Sequence, residues 1–158
     1  MNRRELLCGV AAVGAAGGLA GCVADSGAPG DDPGGDATTE RSPTLAGGEL
    51  ASVETDCADG EERGTASVAF DDERVTVAGA VGTSNPCYDA ALDEHGYDAG
   101  ADRLTVTVAV SPTDELCATC IGVLRYRATV DFEGGLPGAV RVRHADGDAT
   151  ETVTTVSR

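Results

Sequence analysis

From residue 49 onward the chain reads as an all-β domain, a small antiparallel sandwich of about seven strands stapled by disulfides. Three observations predict it. Apolar and polar residues alternate with a period of two through most of residues 49–158. No stretch carries the apolar stripe of an amphipathic helix. Turn residues interrupt the alternation at intervals of about 10–20 residues, the spacing of short strands. A small closed barrel is the alternative.

The elements follow in order. Leu50–Thr55 is a weak first strand. Ala66, Val68 and Phe70 alternate with Thr65, Ser67 and Ala69, and Asp71-Asp72-Glu73 turns the chain into a strand in which Val75, Val77, Gly79 and Val81 share a face. A second weak strand covers Tyr88–Asp93. Leu104–Val110 is the clearest strand, with apolar residues at even positions and threonines among the odd ones. Leu124, Tyr126, Ala128, Val130 and Phe132 form the next inner face, and the break in alternation at Val123-Leu124 predicts a bulge there. Val140 and Val142 alternate with Arg141 and Arg143. Asp146-Gly147-Asp148 then turns the chain into a last strand near Ala149–Val156. Charges flank nearly every strand and oppose edge-to-edge aggregation.

The core available to these strands is thin. Valine and alanine must fill it around five aromatics, Phe70, Tyr88, Tyr97, Tyr126 and Phe132. At about 25 cal/mol per Å2 such side chains bring less apolar area than leucine or phenylalanine. Covalent staples then matter, and Cys57, Cys87, Cys117 and Cys120 supply the material for two. Of three possible pairings, strand arithmetic favours two. A hairpin turning near Asp72 sets Cys57 opposite Cys87 and leaves Cys117–Cys120 as a local loop. A hairpin turning near Asp102 sets Cys87 opposite Cys117 and leaves Cys57–Cys120. The second is preferred because it rests on the clearest strand. Closing a loop of about thirty residues stabilises by roughly 3–4 kcal/mol in the chain-entropy model.

Cys117-Ala118-Thr119-Cys120 is also a CxxC, the spacing of a redox dithiol or a soft-metal site. A reactive thiolate wants a helix N-terminus or a positive neighbour. Here Asp114 and Glu115 precede the motif and a strand follows it, so structural disulfides are the expectation. A thiol-redox or copper-handling protein is the alternative.

The front of the chain has a different character. Arg3-Arg4 is followed by an uncharged run, Leu6–Ala20, and then by Leu19-Ala20-Gly21-Cys22. A positive start, an apolar stretch too short to span a bilayer and small residues before a cysteine together make an export signal. The paired arginines point to the twin-arginine route. With Asn2-Arg3-Arg4-Glu5-Leu6-Leu7 and the lipobox Leu19-Ala20-Gly21-Cys22, this leader resembles the Tat-exported lipoproteins of halophilic archaea. The resemblance covers about residues 1–48. It implies cleavage before Cys22, lipidation of that residue and anchoring at the outer face of the cytoplasmic membrane, and it carries no active site. The expected organisation is a signal peptide over residues 1–21, a lipidated Cys22 and disordered Gly/Pro/Asp-rich tether over 22–48, and the β domain over 49–158.

Charge is consistent with that reading. The chain holds 27 acidic residues against 11 basic ones, all arginine, for a net charge of −16. Acidic surplus, absent lysine and few large aromatics fit a protein working in strong salt, where the Debye length falls to about 3 Å and self-repulsion is screened. Without a basic stripe, nucleic acid is excluded as a partner class.

Catalytic signals are weak. Neither a Gly-x-Ser-x-Gly elbow nor a His-Glu-x-x-His helix is present. His95, after Asp93-Glu94, is expected in a solvated turn, and His144 as a satisfied inward or strand-end histidine. Asp71-Asp72-Glu73 and Asp146-Gly147-Asp148 lack the ordered oxygen spacing of a calcium loop. Ser84-Asn85-Pro86-Cys87-Tyr88 reads as a loop closing before a bridged strand, and Gly134-Gly135-Leu136-Pro137-Gly138 as a connection packing onto the sheet. The expectation is a lipid-anchored extracytoplasmic module with a binding or envelope-associated structural role, whose partners are the membrane and envelope proteins. No catalytic residue, metal or cofactor is expected.

Overall fold

The computed structural model describes residues 42–58 and 63–158. The expected leader, Cys22 and almost all of the tether lie outside them. Eight strands form among the described residues and no helix. They are β1 (Thr44–Cys57), β2 (Thr65–Asp71), β3 (Arg74–Thr83), β4 (Tyr88–Asp98), β5 (Arg103–Pro112), β6 (Gly122–Glu133), β7 (Ala139–Asp146) and β8 (Ala149–Ser157).

The strands make two four-stranded sheets, β1-β6-β3-β2 and β4-β5-β7-β8. Among the described residues both sheets end in unpaired edge strands, so they form a sandwich and not a closed barrel. Three hairpins, β2–β3, β4–β5 and β7–β8, stay within a sheet. The chain changes sheets at β3–β4, β5–β6 and β6–β7. Because β6 crosses to the other sheet between them, β5 and β7 come to lie parallel, the one exception to antiparallel pairing. The expected antiparallel sandwich is observed, with eight strands rather than about seven and this one parallel pair.

Alternation decides what is buried. Val75 and Val77 of β3, Leu124, Tyr126, Ala128, Val130 and Phe132 of β6, the even positions of β5 from Leu104 to Val110, and Val140 and Val142 of β7 face one another between the sheets. Val123 is buried too, on the other face of β6. It pairs with Gly82, over which the Arg63 side chain lies. The expected bulge at Val123-Leu124 is absent, since β6 keeps unbroken register there with both neighbours.

Bulges occur instead on edge strands, at Ala46 and Ala51 of β1, Asp93 of β4 and Val153 of β8. Each inserts one residue and reverses which side chains face inward. This explains two further corrections. Thr44–Gly48, expected in the tether, belongs to β1 and pairs with Val130–Glu133. His95, expected in a turn, lies within β4, which runs past Asp93 to Asp98 with Leu92, His95 and Tyr97 all turned inward. The His95 ring packs on Gly48, where a β-carbon would sit 2.7 Å from its Cδ2.

Candidate functional site

The two ends of the sandwich are built differently. At one end β1 begins, β6 finishes and the β2–β3 and β4–β5 turns lie. The core is closed there by side chains. Tyr97 of β4 meets Phe132 of β6 edge to face at 5.6 Å, across the two sheets. The Tyr97 hydroxyl donates to Asp102 Oδ1 at 2.7 Å. Burial first, and then this bond, push the tyrosine up to about 12, while the same bond holds the Asp102 carboxyl below its ordinary value. Leu136 and Pro137 are buried, so the connecting loop packs onto the sheets as the sequence suggests.

At the opposite end, where β1 and β3 finish and β4 and β6 begin, the chain is irregular through residues 84–87 and 113–121. All four cysteines of the domain gather here. Cys57 is bonded to Cys120 and Cys87 to Cys117, the preferred of the two pairings. The first bond ties the end of β1 to the loop before β6, and the second ties the start of β4 to the same loop. Cys117 and Cys120 are therefore not bonded to each other, and the CxxC holds two strands rather than closing on itself.

Asn85 organises the loop between β3 and β4. Its Oδ1 accepts from the Cys87 amide at 2.9 Å, and its carbonyl accepts from Thr83 Oγ1 at 2.7 Å. Cys117 Sγ lies 3.2 Å from the same Oδ1, a contact without a shared proton because a cystine sulfur carries none. The Thr113 amide donates to the Cys87 carbonyl at 2.9 Å, and the Ala58 amide to the Ile121 carbonyl at 2.8 Å. Gly122 lies so close beneath Asn85 that a β-carbon would stand 2.3 Å from the Asn85 carbonyl oxygen. Only a glycine fits there without moving the loop.

This end exposes an unusual surface. Leu116 projects fully into solvent and Ile121 is half exposed, the large apolar side chains left uncovered among the described residues. Asp56, Asp89, Asp114 and Glu115 stand on the same segments with no arginine among them. A cleft of about 450 Å3 opens beside the tip, lined by Val53, Thr55, Pro86, Cys87, Tyr88, Asp89, Thr113 and Glu115. Its lining offers hydroxyls, carboxylates and a phenol, with no thiol and no histidine.

The second histidine is elsewhere. His144, buried near the end of β7, shares a 2.8 Å hydrogen bond through Nε2 with the Tyr126 hydroxyl of β6. Burial pushes the imidazole down to about 4 and the phenol up. Gly79 makes room for the pair, since a β-carbon there would meet the Tyr126 hydroxyl at 2.4 Å. His144 is thus the satisfied inward residue that its position suggests. Its partner was not identified in the sequence; both residues occupy inward positions, but the period of a strand does not say which inward residues face each other.

The acidic turns hold no ligand set. Asp71, Asp72 and Glu73 border a shallow hollow together with Arg74, whose Nε donates to Asp131 Oδ1 at 2.6 Å. Among the described residues no group of three or more His, Cys, Asp or Glu side chains is placed to hold a metal ion, and no helix is long and apolar enough to cross a membrane. No family model, no curated protein and no solved structure matches this chain.

Proposed function

We propose that the chain is an exported lipoprotein, anchored through Cys22, whose β-sandwich acts without catalysis as a binding or envelope-associated structural module. The observation that carries the reading is the cystine end. Two disulfides immobilise an irregular loop that presents Leu116 and Ile121 to solvent, although neither is needed to fill the core. Exposed apolar groups held rigid and rimmed by carboxylates suit contact with another protein, because little ordering entropy is lost on binding. Cystines are stable in an oxidising compartment, as export would require. The tether joins β1 at Thr44, at the other end of the sandwich, which leaves the cystine end free of that connection.

The test is cross-linking in intact cells, comparing the native chain with Leu116→Asp and Ile121→Asp variants. The reading expects a companion captured by the native chain and lost from the variants, and recovery of a Cys22-lipidated amino-terminal peptide from the membrane fraction. A companion held equally by all three, or none at all, contradicts the binding role. A chain retaining Met1 in the cytosol contradicts the anchoring.

A further inference from the structure

Among the described residues the sandwich has four edge strands, and three are protected. β1 carries Glu49, Glu54 and Asp56 and two bulges; β4 carries Asp89, Asp93, Glu94 and Asp98 and one bulge; β8 carries Glu151 and one bulge. Charges and bulges are the devices by which an exposed edge avoids pairing with another chain. β2, Thr65-Ala66-Ser67-Val68-Ala69-Phe70-Asp71, has no bulge and no charge before its last residue. It contains no proline or glycine.

Charge is distributed to match. β1 and β4 lie beside each other along one side of the sandwich and hold seven carboxylates between them; β2 and β8 lie beside each other along the other and hold two. For a chain of net charge −16, the β2 side is where two copies approach with least repulsion.

The backbone of β2 is arranged to receive a strand. The two-residue turn Asp72-Glu73 closes on the pair Asp71 and Arg74, which must exchange both hydrogen bonds across so short a connection. Alternation then points the amides and carbonyls of Ser67 and Ala69 toward β3, and those of Ala66, Val68 and Phe70 toward the open edge. The side chains of these same three residues pack against the core but stay partly exposed, for want of a neighbour on that side.

We propose that β2 pairs antiparallel with β2 of a second copy about a two-fold axis through Val68, joining the two sheets into one. The register that overlaps the whole strand sets Val68 opposite Val68, Ala66 opposite Phe70 and Ser67 opposite Ala69. Inward residues meet inward residues, and the small Ala66 faces the large Phe70. Asp71 falls opposite Thr65, so no like charges meet. Three outward-facing residues per copy give about six backbone hydrogen bonds, and the remaining exposed surface of Val68 and Phe70 becomes covered. The contact is small, so the dimer is weak and concentration-dependent. Salt strengthens it by screening the remaining repulsion.

Sedimentation of the full, oxidised chain over a wide concentration series in strong salt tests this, together with two proline variants. Val68→Pro removes an amide that faces the open edge and leaves the β2–β3 bonds intact. Self-association is expected to weaken on the order of tenfold or more, while the loss of Val68 packing lowers the thermal midpoint of the monomer less than Ala69→Pro does. Ala69→Pro removes an amide bonded to β3 and is expected to lower that midpoint instead. A native chain that stays monomeric throughout overturns the proposal, whether or not its β2 amides are protected from exchange by some other segment. A dimer indifferent to Val68→Pro overturns it as well, since its contact then lies elsewhere.

Discussion

The two ends of the sandwich reach order by different means, and the contrast shows what a valine-rich core can and cannot do. At the end where β1 begins, aromatic and aliphatic side chains suffice. Tyr97 packs on Phe132, Leu136 and Pro137 fold inward, and Asp102 anchors the turn. At the other end the connections 84–87 and 113–121 bring almost nothing apolar inward, and their two large aliphatic residues, Leu116 and Ile121, are exposed. Covalent bonds replace packing there. The chain places its cystines where burial is poorest.

Removing the staples has the largest expected effect. Cys57 and Cys120 are 63 residues apart and Cys87 and Cys117 are 30 apart. In the chain-entropy model, losing the first by a double Cys→Ala change costs about 4 kcal/mol and losing the second slightly less. Denaturant titration of each oxidised double variant checks both.

The buried histidine is next. The His144 imidazole is held at about 4 in the folded state, against an ordinary value of 6.5. Above 6.5 it is neutral in both states and stability is fully present. As pH falls from 6.5 to 4 the unfolded chain takes up a proton that the folded one refuses, so stability declines by about 2–3 kcal/mol across that window. Asp102 acts in a lower window. Its carboxyl is depressed, so its contribution is present above its ordinary value of 3.8 and is lost as pH falls through the folded value. Unfolding midpoints of the native chain and of His144→Gln from neutral to mildly acidic pH separate the two. The slope between 6.5 and 4 is expected to flatten in the variant.

Three single substitutions have smaller expected effects. Gly122→Ala forces a methyl group against the Asn85 backbone and is expected to destabilise by about 1–3 kcal/mol. Tyr97→Phe keeps the ring against Phe132 and removes only the bond to Asp102, for about 0.5–1.5 kcal/mol. Smallest of all is Leu116→Asp, which touches no packing and is expected to shift stability by no more than about 0.5 kcal/mol. Thermal melts of the three variants in the same buffer rank them.

The fold was legible where alternation ran unbroken. β3, β5 and β6 show their inner faces directly in Val75–Val81, Leu104–Val110 and Leu124–Phe132. It was obscured wherever a bulge reversed the parity. Asp93 made the second half of β4 resemble a turn, and Ala46 with Gly47-Gly48 made the start of β1 resemble linker. The parallel neighbours β5 and β7 were out of reach, because periodicity reports a strand's faces and not its partners. The cysteines were readable as staples, and the clearest strand correctly favoured their pairing. That Leu116 would be the exposed tip was not readable, since an isolated leucine in a loop looks the same whether it packs or projects.

The central claim is that cross-strand cystines hold the irregular end of the sandwich. Peptide mapping of the protein taken from its cells, without reduction, tests it most directly. The account predicts two linked peptide pairs, Cys57 with Cys120 and Cys87 with Cys117, and no free thiol among the four. A Cys117–Cys120 bond, or thiols that remain free in the native protein, would contradict it.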